Sequence, residues 1–321
     1  MKPEERLIDP MKPGAWRRRM GGDAPVVVVT GTFDVLQPGN LYALRRARAE
    51  GGAVVVLLEP DEGVARHASP GRPQNPAAVR AEMVAHLRGV DGVMVAPPDL
   101  DAGFLDAFRP LVWVVAGTQR RSEIWAPALE RAATFVREVE PLKDCFTEDI
   151  LRALRGNQTP IRIPQQGLMT DPVSAPAASA AQGSGRVTVN GCFDILHIGH
   201  LRFLATARAM GGVLTVLIND DASVARYKGP TRPVFPEAFR KTALMALEAV
   251  DDVVAFAEDE PLAAMARLRP DLHVKGGSFE PERVRHEREL LAQWGARVVG
   301  TPLVDGFSTS SYIATALKER G

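Results

Sequence analysis

Val26 to Leu41 reads VVVVTGTFDVLQPGNL, and Arg186 to Leu201 reads RVTVNGCFDILHIGHL. Superposed, the two stretches set Gly31 on Gly191, Phe33 on Phe193, Asp34 on Asp194 and Gly39 on Gly199, a displacement of 160 residues. The displacement holds without a gap for about eighty residues more, setting Ala47-Arg48-Ala49 on Ala207-Arg208-Ala209, Gly51-Gly52 on Gly211-Gly212, Arg72-Pro73 on Arg232-Pro233, Arg80 on Arg240 and Val90-Asp91 on Val250-Asp251. A register of that length is an internal repeat, and a repeat fixes the architecture before any single residue is weighed.

Within each copy, short apolar runs bounded by Gly or Asp alternate with amphipathic stretches. Val26–Val29, Val54–Leu58, Val93–Val95 and Val112–Val115, with Val187–Val189, Leu214–Ile218, Val253–Phe256 and His273–Val274 in the second copy, read as buried parallel strands. Leu41–Ala49, Ala77–Leu87, Leu201–Met210, Glu237–Leu247 and Pro261–Leu268 read as helices. Strand and helix in regular alternation predict two tandem α/β, Rossmann-like, doubly wound parallel-sheet domains, with ligands at the carboxyl ends of the strands.

The chain of 321 residues is long enough for two such cores. Residues 157–185, rich in Pro, Ala, Ser, Gly and Gln, are expected to link a first domain over 1–156 to a second over 186–321. Thirty-nine basic and 39 acidic side chains cancel, so no positive field points to a nucleic-acid or membrane-surface partner. The two cysteines, Cys145 and Cys192, are too few for a disulfide framework and read as reduced thiols. No signal-peptide core or membrane-length apolar run is present, and a cytoplasmic protein is expected.

The second copy carries the chemistry. Its first strand–helix junction, Asn190 to His200, holds neither a dinucleotide GxGxxG nor a P-loop but His197-Ile198-Gly199-His200. Two imidazoles three apart at a helix start lie beside unpaired backbone N–H groups, a place that favours anions. Gly199 leaves room for a phosphate to approach the backbone. Such a pair suits hydrogen bonding to an α-phosphate as charge builds in the transition state. Gly191, Cys192 and Phe193 are expected to help form the nucleotide site, with Asp194 on the substrate or bonding the following turn. Further cations follow: Lys228 and Arg232 on a turn-rich loop, Arg240 on a helix expected to face the same crevice, and Lys275-Gly276 after a strand. Ser308-Thr309-Ser310, after Gly306-Phe307, offers hydroxyls and N–H groups for the β- and γ-phosphates.

These motifs, VNGCFDILHIGHL, NDDASVARYKGPTRPV, LRPDLHVKGG and PLVDGFSTS, resemble the HIGH-motif cytidylyltransferase-like superfamily, most of all the adenylyltransferase domain of heptose 1-phosphate adenylyltransferases, the ADP-heptose synthases. The resemblance covers nearly all of the second copy. It implies that a sugar phosphate attacks the α-phosphate of ATP directly and releases pyrophosphate, with Mg²⁺ as cofactor and no covalent enzyme intermediate. It also implies that His197 and His200 stabilise the transition state, Lys228 holds phosphates and Ser308 to Ser310 bind the triphosphate. The metal ligands are not read. Ser278 stands where that family commonly has Asp, and Phe235-Pro236-Glu237 where it has Asn-Pro-Leu, both at positions expected to meet the acceptor. A CTP-dependent cytidylyltransferase acting on glycerol phosphate or ethanolamine phosphate is the alternative enzyme. A non-catalytic nucleotide-binding regulator is the alternative of another class.

In the first copy Gln37 replaces His197, Asn40 replaces His200, Ala68 replaces Lys228, Val115 replaces Lys275, and Phe146-Thr147-Glu148-Asp149 stands for Phe307 to Ser310. Scaffold kept and phosphate-binding groups deleted is the pattern of a pseudoenzyme. Arg72 and Arg80 survive, either for packing or to hold a smaller anion. Relatives of this type pair as homodimers, so the first copy is expected to act as a built-in pseudo-subunit, in a chain that forms homodimers or dispenses with them.

Overall fold

The computed structural model describes residues 1–97, 108–116, 135–140, 142–143, 145–154, 161, 163–164, 185–277 and 281–302. Contacts gather the described residues up to Asp149, with Ile163 and Pro164, into one compact unit, and Ile150 to Leu154, Ile161 and the described residues from Gly185 on into a second.

The valine-rich runs form strands because β-branched side chains suit a pleated surface covered on both faces. In the first unit these are β1 (Val26–Gly31), β2 (Ala53–Leu58), β3 (Gly92–Val95), β4 (Pro110–Ala116) and β5 (Phe135–Val139). All pair in parallel, in the order β3-β2-β1-β4-β5. The helices are α1 (Pro3–Arg6), α2 (Pro13–Arg19), α3 (Pro38–Ala49), α4 (Asp61–His67) and α5 (Ala77–Ala85), and α6 (Thr147–Leu154) starts in this unit and runs on into the residues grouped with the second. The second unit repeats the plan with β6 (Arg186–Gly191), α7 (Ile198–Ala209), β7 (Val213–Asn219), α8 (Asp221–Lys228), α9 (Glu237–Met245), β8 (Asp252–Phe256), α10 (Leu262–Leu268), β9 (Leu272–Gly276), a 3₁₀ turn over Pro281–Val284, α11 (Arg285–Ala292) and β10 (Arg297–Thr301). Its order, β10-β9-β6-β7-β8, is the same topology read from the other edge. Two doubly wound parallel sheets are therefore present. In each the order reverses between the first strand and the fourth, the place where doubly wound sheets take their ligands at the carboxyl ends of the strands.

The repeated residues explain themselves in pairs. Asp91 Oδ2 accepts from Val54 N at 2.8 Å and Asp251 Oδ2 from Leu214 N at 2.8 Å, so each tethers the start of the second strand of its unit. The N-terminal segment has no counterpart in the repeat. Ile8 N donates to Val93 O at 2.8 Å, Arg6 Nη1 donates to Ala85 O and Leu87 O, and Trp16 packs on Phe108 with centroids 5.6 Å apart. That segment covers the exposed edge of β3, where unpaired strand groups would otherwise invite another strand. No helix among the described residues is long and apolar enough to cross a membrane.

Candidate active site

At the carboxyl end of β6 the chain turns sharply. Phe193 sits in the left-handed region at φ 46°, as Phe33 does at φ 49° in the first unit, and a Cβ on Gly191 would lie 3.0 Å from the Phe193 ring. Asp194 follows, 4% exposed, accepting from Val234 N at 2.9 Å, Phe235 N at 3.0 Å and Arg232 Nε at 2.6 Å. Its carboxylate is fully engaged in pinning the 232–235 loop. The expectation that Asp194 binds substrate gives way to its other reading, a buried carboxylate bonding a turn, although the residue does border the crevice.

Arg240 requires a plainer correction. It does not face the crevice: at 1% exposure its Nε donates to Phe235 O, Nη1 to Cys192 O, and Nη2 to Asn219 O and Asp221 Oδ1. Three backbone carbonyls converge there, and a buried carbonyl left unpaired is costly, so the guanidinium belongs to the framework. Arg80 repeats the arrangement with Asn75 O, Thr32 O, Glu59 O and Asp61 Oδ1, which answers why that arginine survives in the first copy.

The crevice itself measures about 530 Å³, within the range of small-molecule sites. Gly191, Cys192, Phe193 and His200 line it from β6 and α7; Lys228 and Arg232 close one side, Lys275 and Gly276 another. His197 is the N-cap of α7. Its Nδ1 accepts from His200 N at 3.4 Å, and its ring stacks on that of His200, centroids 3.7 Å apart and planes inclined by 25°. An Nδ1 that accepts leaves the proton of a neutral imidazole on Nε2. Neither His197 nor Gly199 is among the described lining residues; His197 stands behind His200 and holds it in the stack. Phe193 contacts the other side of His200, centroids 5.2 Å apart, and His200 Nδ1 is buried with no hydrogen-bond partner among the described residues. Burial holds the His197 imidazole down at about 4, and burial together with the adjacent His197 holds His200 at about 3, against an ordinary 6.5. Both rings are therefore neutral at pH 7. Positive charge comes from Lys228, Arg232, Lys275, Arg283 and the start of α7, and the carboxylates of Asp194, Asp259, Glu260 and Glu287 border the same crevice, Asp194 paired with Arg232 and Glu287 with Lys275. Burial also pushes the Cys192 thiol up, away from thiolate chemistry.

Lys275 Nζ donates to Asn190 Oδ1 at 2.8 Å and pairs with Glu287 Oε1 at 2.8 Å. Asn219, Tyr227, Arg283 and Glu287 also line the crevice and were not singled out from the sequence. Ser308, Thr309 and Ser310 lie outside the described residues.

The corresponding place in the first unit is built to close on itself. Gln37 caps α3, its Oε1 accepting from Gly39 N at 2.9 Å, while Asn40 Oδ1 accepts from Gln37 N at 3.2 Å, a reciprocal capping box where the histidines stand in the other copy. Arg72 donates from Nε to Asp34 and from Nη1 to Glu148 Oε1 at 2.6 Å. Glu148, from the segment replacing the hydroxyl motif, thus sits on the retained arginine as an anion supplied by the chain itself. Of the two readings for Arg72, packing is the one this geometry supports.

A cytidylyltransferase-like family model matches residues 28–153 and 188–318, both copies in turn, and the chain belongs to the cytidylyltransferase-like family. Among particular relatives, the bifunctional protein HldE of Syntrophotalea carbinolica is 46% identical over 136 residues, covering 42% of this chain and 28% of that protein. HldE of Aeromonas hydrophila is 47% identical over 158 residues, covering 48% and 33%. The chain thus spans about a third of the length of the curated relatives it matches. Among solved structures, a lipopolysaccharide core biosynthesis protein from Thermoplasma volcanium is 27% identical with a TM-score of 0.33, covering 38% of this chain and 98% of its own.

Proposed function

We propose that the second copy is a nucleotidyltransferase joining the α-phosphate of ATP to a phosphorylated small molecule, a sugar 1-phosphate such as a heptose 1-phosphate, with release of pyrophosphate. The observation that carries the reading is the stacked His197–His200 pair at the start of α7, with Lys228, Arg232 and Lys275 around one crevice. In the proposed step an acceptor phosphate oxygen forms a bond to the α-phosphorus as the bond to the bridging β-oxygen breaks, and the electron pair leaves with pyrophosphate. The His200 imidazole N–H, held by the His197 ring stacked behind it, and the start of α7 meet the charge that spreads over the α-phosphoryl oxygens, while the lysines hold the flanking phosphates. The resemblance of the second copy's motifs to the adenylyltransferase domain of ADP-heptose synthases favours ATP and a heptose phosphate.

Among the described residues no group of three or more His, Cys, Asp or Glu is arranged to hold a metal. The described crevice therefore offers no built cage for Mg²⁺. A Mg²⁺ carried on the triphosphate, offsetting its charge, is the form compatible with these residues, and no step above depends on it. The first copy is proposed to be a pseudoenzyme that supports the second as a built-in partner, and a cytoplasmic setting belongs to the same proposal. Pyrophosphate release across a panel of sugar 1-phosphates and alcohol phosphates, with ATP and CTP in turn, tests the reading. Release with ATP and a sugar 1-phosphate is expected. Release with CTP and glycerol or ethanolamine phosphate alone would replace it with the cytidylyltransferase, and nucleotide binding without turnover on any acceptor would leave a regulator.

A further inference from the structure

Glu287 is the one strongly buried residue in the middle of an otherwise charged, solvent-facing stretch. Its α11 neighbours Arg285 and Glu289 keep side-chain exposures of 57% and 68%, whereas Glu287 is 3% exposed and lines the crevice. A buried carboxylate is costly unless its oxygens are satisfied. Here only one is. Oε1 pairs with Lys275 Nζ at 2.8 Å, and Lys275 donates in turn to Asn190 Oδ1 at 2.8 Å, which leaves one of the three ammonium hydrogens for a ligand. Oε2 is buried with no hydrogen-bond partner among the described residues. The network belongs to the second copy: Val115 occupies the place of Lys275 and Thr30 that of Asn190 in the first.

Glu287 borders the crevice, and its buried, unpartnered oxygen lacks a donor that a ligand seated against the residue can supply. A phosphate is excluded as that donor, since near neutral pH it presents acceptor oxygens and negative charge. The chemistry that fits is an uncharged O–H. Sugar rings carry hydroxyls within a few bonds of the phosphate, so one anchored at Glu287 leaves its phosphate within reach of Lys275. The amino group of a base is separated from the phosphates by the whole ribose.

We propose that Glu287 is a substrate-binding residue whose Oε2 accepts a hydrogen bond from a sugar hydroxyl while its Oε1 positions Lys275 for the adjoining phosphate. The inference rests on the nucleotidyltransferase reading. Two sugars could supply the hydroxyl, the ribose of the nucleotide or the ring of a sugar-phosphate acceptor.

The test measures binding of ATP, 2′-deoxy-ATP and 3′-deoxy-ATP to the full chain, parent and Glu287→Ala, by calorimetry, and the KM of each form for the best sugar 1-phosphate. If the ribose is held, one deoxynucleotide binds the parent about tenfold or more weakly than ATP, the loss expected for a hydrogen bond to a charged group, and that penalty disappears in Glu287→Ala. If the acceptor sugar is held, the deoxynucleotides bind the parent like ATP, and KM for the acceptor rises by a similar factor in Glu287→Ala. Glu287→Gln, which keeps the volume and an oxygen for Lys275, serves where the alanine variant does not fold, and shows the same changes in reduced size. The proposal is overturned if every deoxynucleotide penalty is equal in parent and variants and the acceptor KM does not move, as it would be if water alone met Oε2. A parent protein that binds no nucleotide at all would instead remove the reading beneath the proposal.

Discussion

Exchanging the histidine pair for the residues that the first copy already carries, His197→Gln with His200→Asn, separates catalysis from folding within one experiment. The first unit shows what the exchange builds: a glutamine cap 2.9 Å from a backbone N–H and an asparagine returning the bond at 3.2 Å. The present His197 cap is longer, at 3.4 Å, so capping is expected to improve by up to about 1 kcal/mol. Against this stands the lost ring stack, worth about 0.5–1.5 kcal/mol. The two nearly cancel, and the melting temperature is expected to move by less than about 4 °C. Turnover, by contrast, loses its transition-state donors. One such donor is worth roughly 10²–10³ in kcat, and two that act as a unit cost about as much as either alone. A continuous pyrophosphate-release assay alongside thermal melting reads both quantities. A folded variant within tenfold of the parent rate would refute the assignment of chemistry to the pair, and a collapse in stability would refute the equivalence of the two capping arrangements.

The same rings predict an acid sensitivity. Their folded values of about 4 and about 3 lie below the ordinary 6.5, so between pH 6.5 and 4 the unfolded chain binds protons that the folded one refuses. Their contribution is complete above pH 6.5 and is lost on acidification toward the folded values, by up to about 1.4 kcal/mol per pH unit for each ring. Denaturant midpoints at pH 7 and 4.5 should therefore fall further for the parent than for the double exchange, and equal falls would contradict the shifts. Arg240→Ala strands three carbonyls and a carboxylate, and is expected to destabilise the second unit by more than about 3 kcal/mol in urea melts. A normally stable Arg240→Ala protein with only a raised acceptor KM would restore the ligand-binding role. Calorimetric titration with ATP is expected to give one site per chain, and a second site of comparable affinity would show that the first copy still binds nucleotide.

The repeat, the parallel sheets and the place of the crevice were legible because strand burial writes itself as runs such as Val54–Leu58, and because glycine and aspartate mark the strand ends. The last strand of each sheet was not. Phe135–Val139 contains Arg and Glu and leaves most of its side chains exposed, and Arg297–Thr301 is similarly mixed, so neither shows the apolar run of a central strand. Arg240 misled for a different reason. An arginine near a phosphate site looks the same in sequence whether it faces an anion or a convergence of carbonyls, and only the fold brings Phe235, Cys192 and Asn219 together around it. Glu287 was hidden among Arg285, His286, Arg288 and Glu289, where helical phase against a sheet, rather than residue type, selects the one that turns inward.

The pairing of Glu148 with Arg72 has a consequence for how each half responds to its surroundings. A solute stabilises a fold only where it binds the folded form, and by an amount set by its concentration. The front half carries its counter-ion tethered to its own backbone, permanently present whatever the cell contains. On the proposed function, the rear half draws its anion from the metabolite pool. Its resistance to heat should therefore track the energy charge of the medium, a dependence that the Glu148–Arg72 pair of the front half does not share.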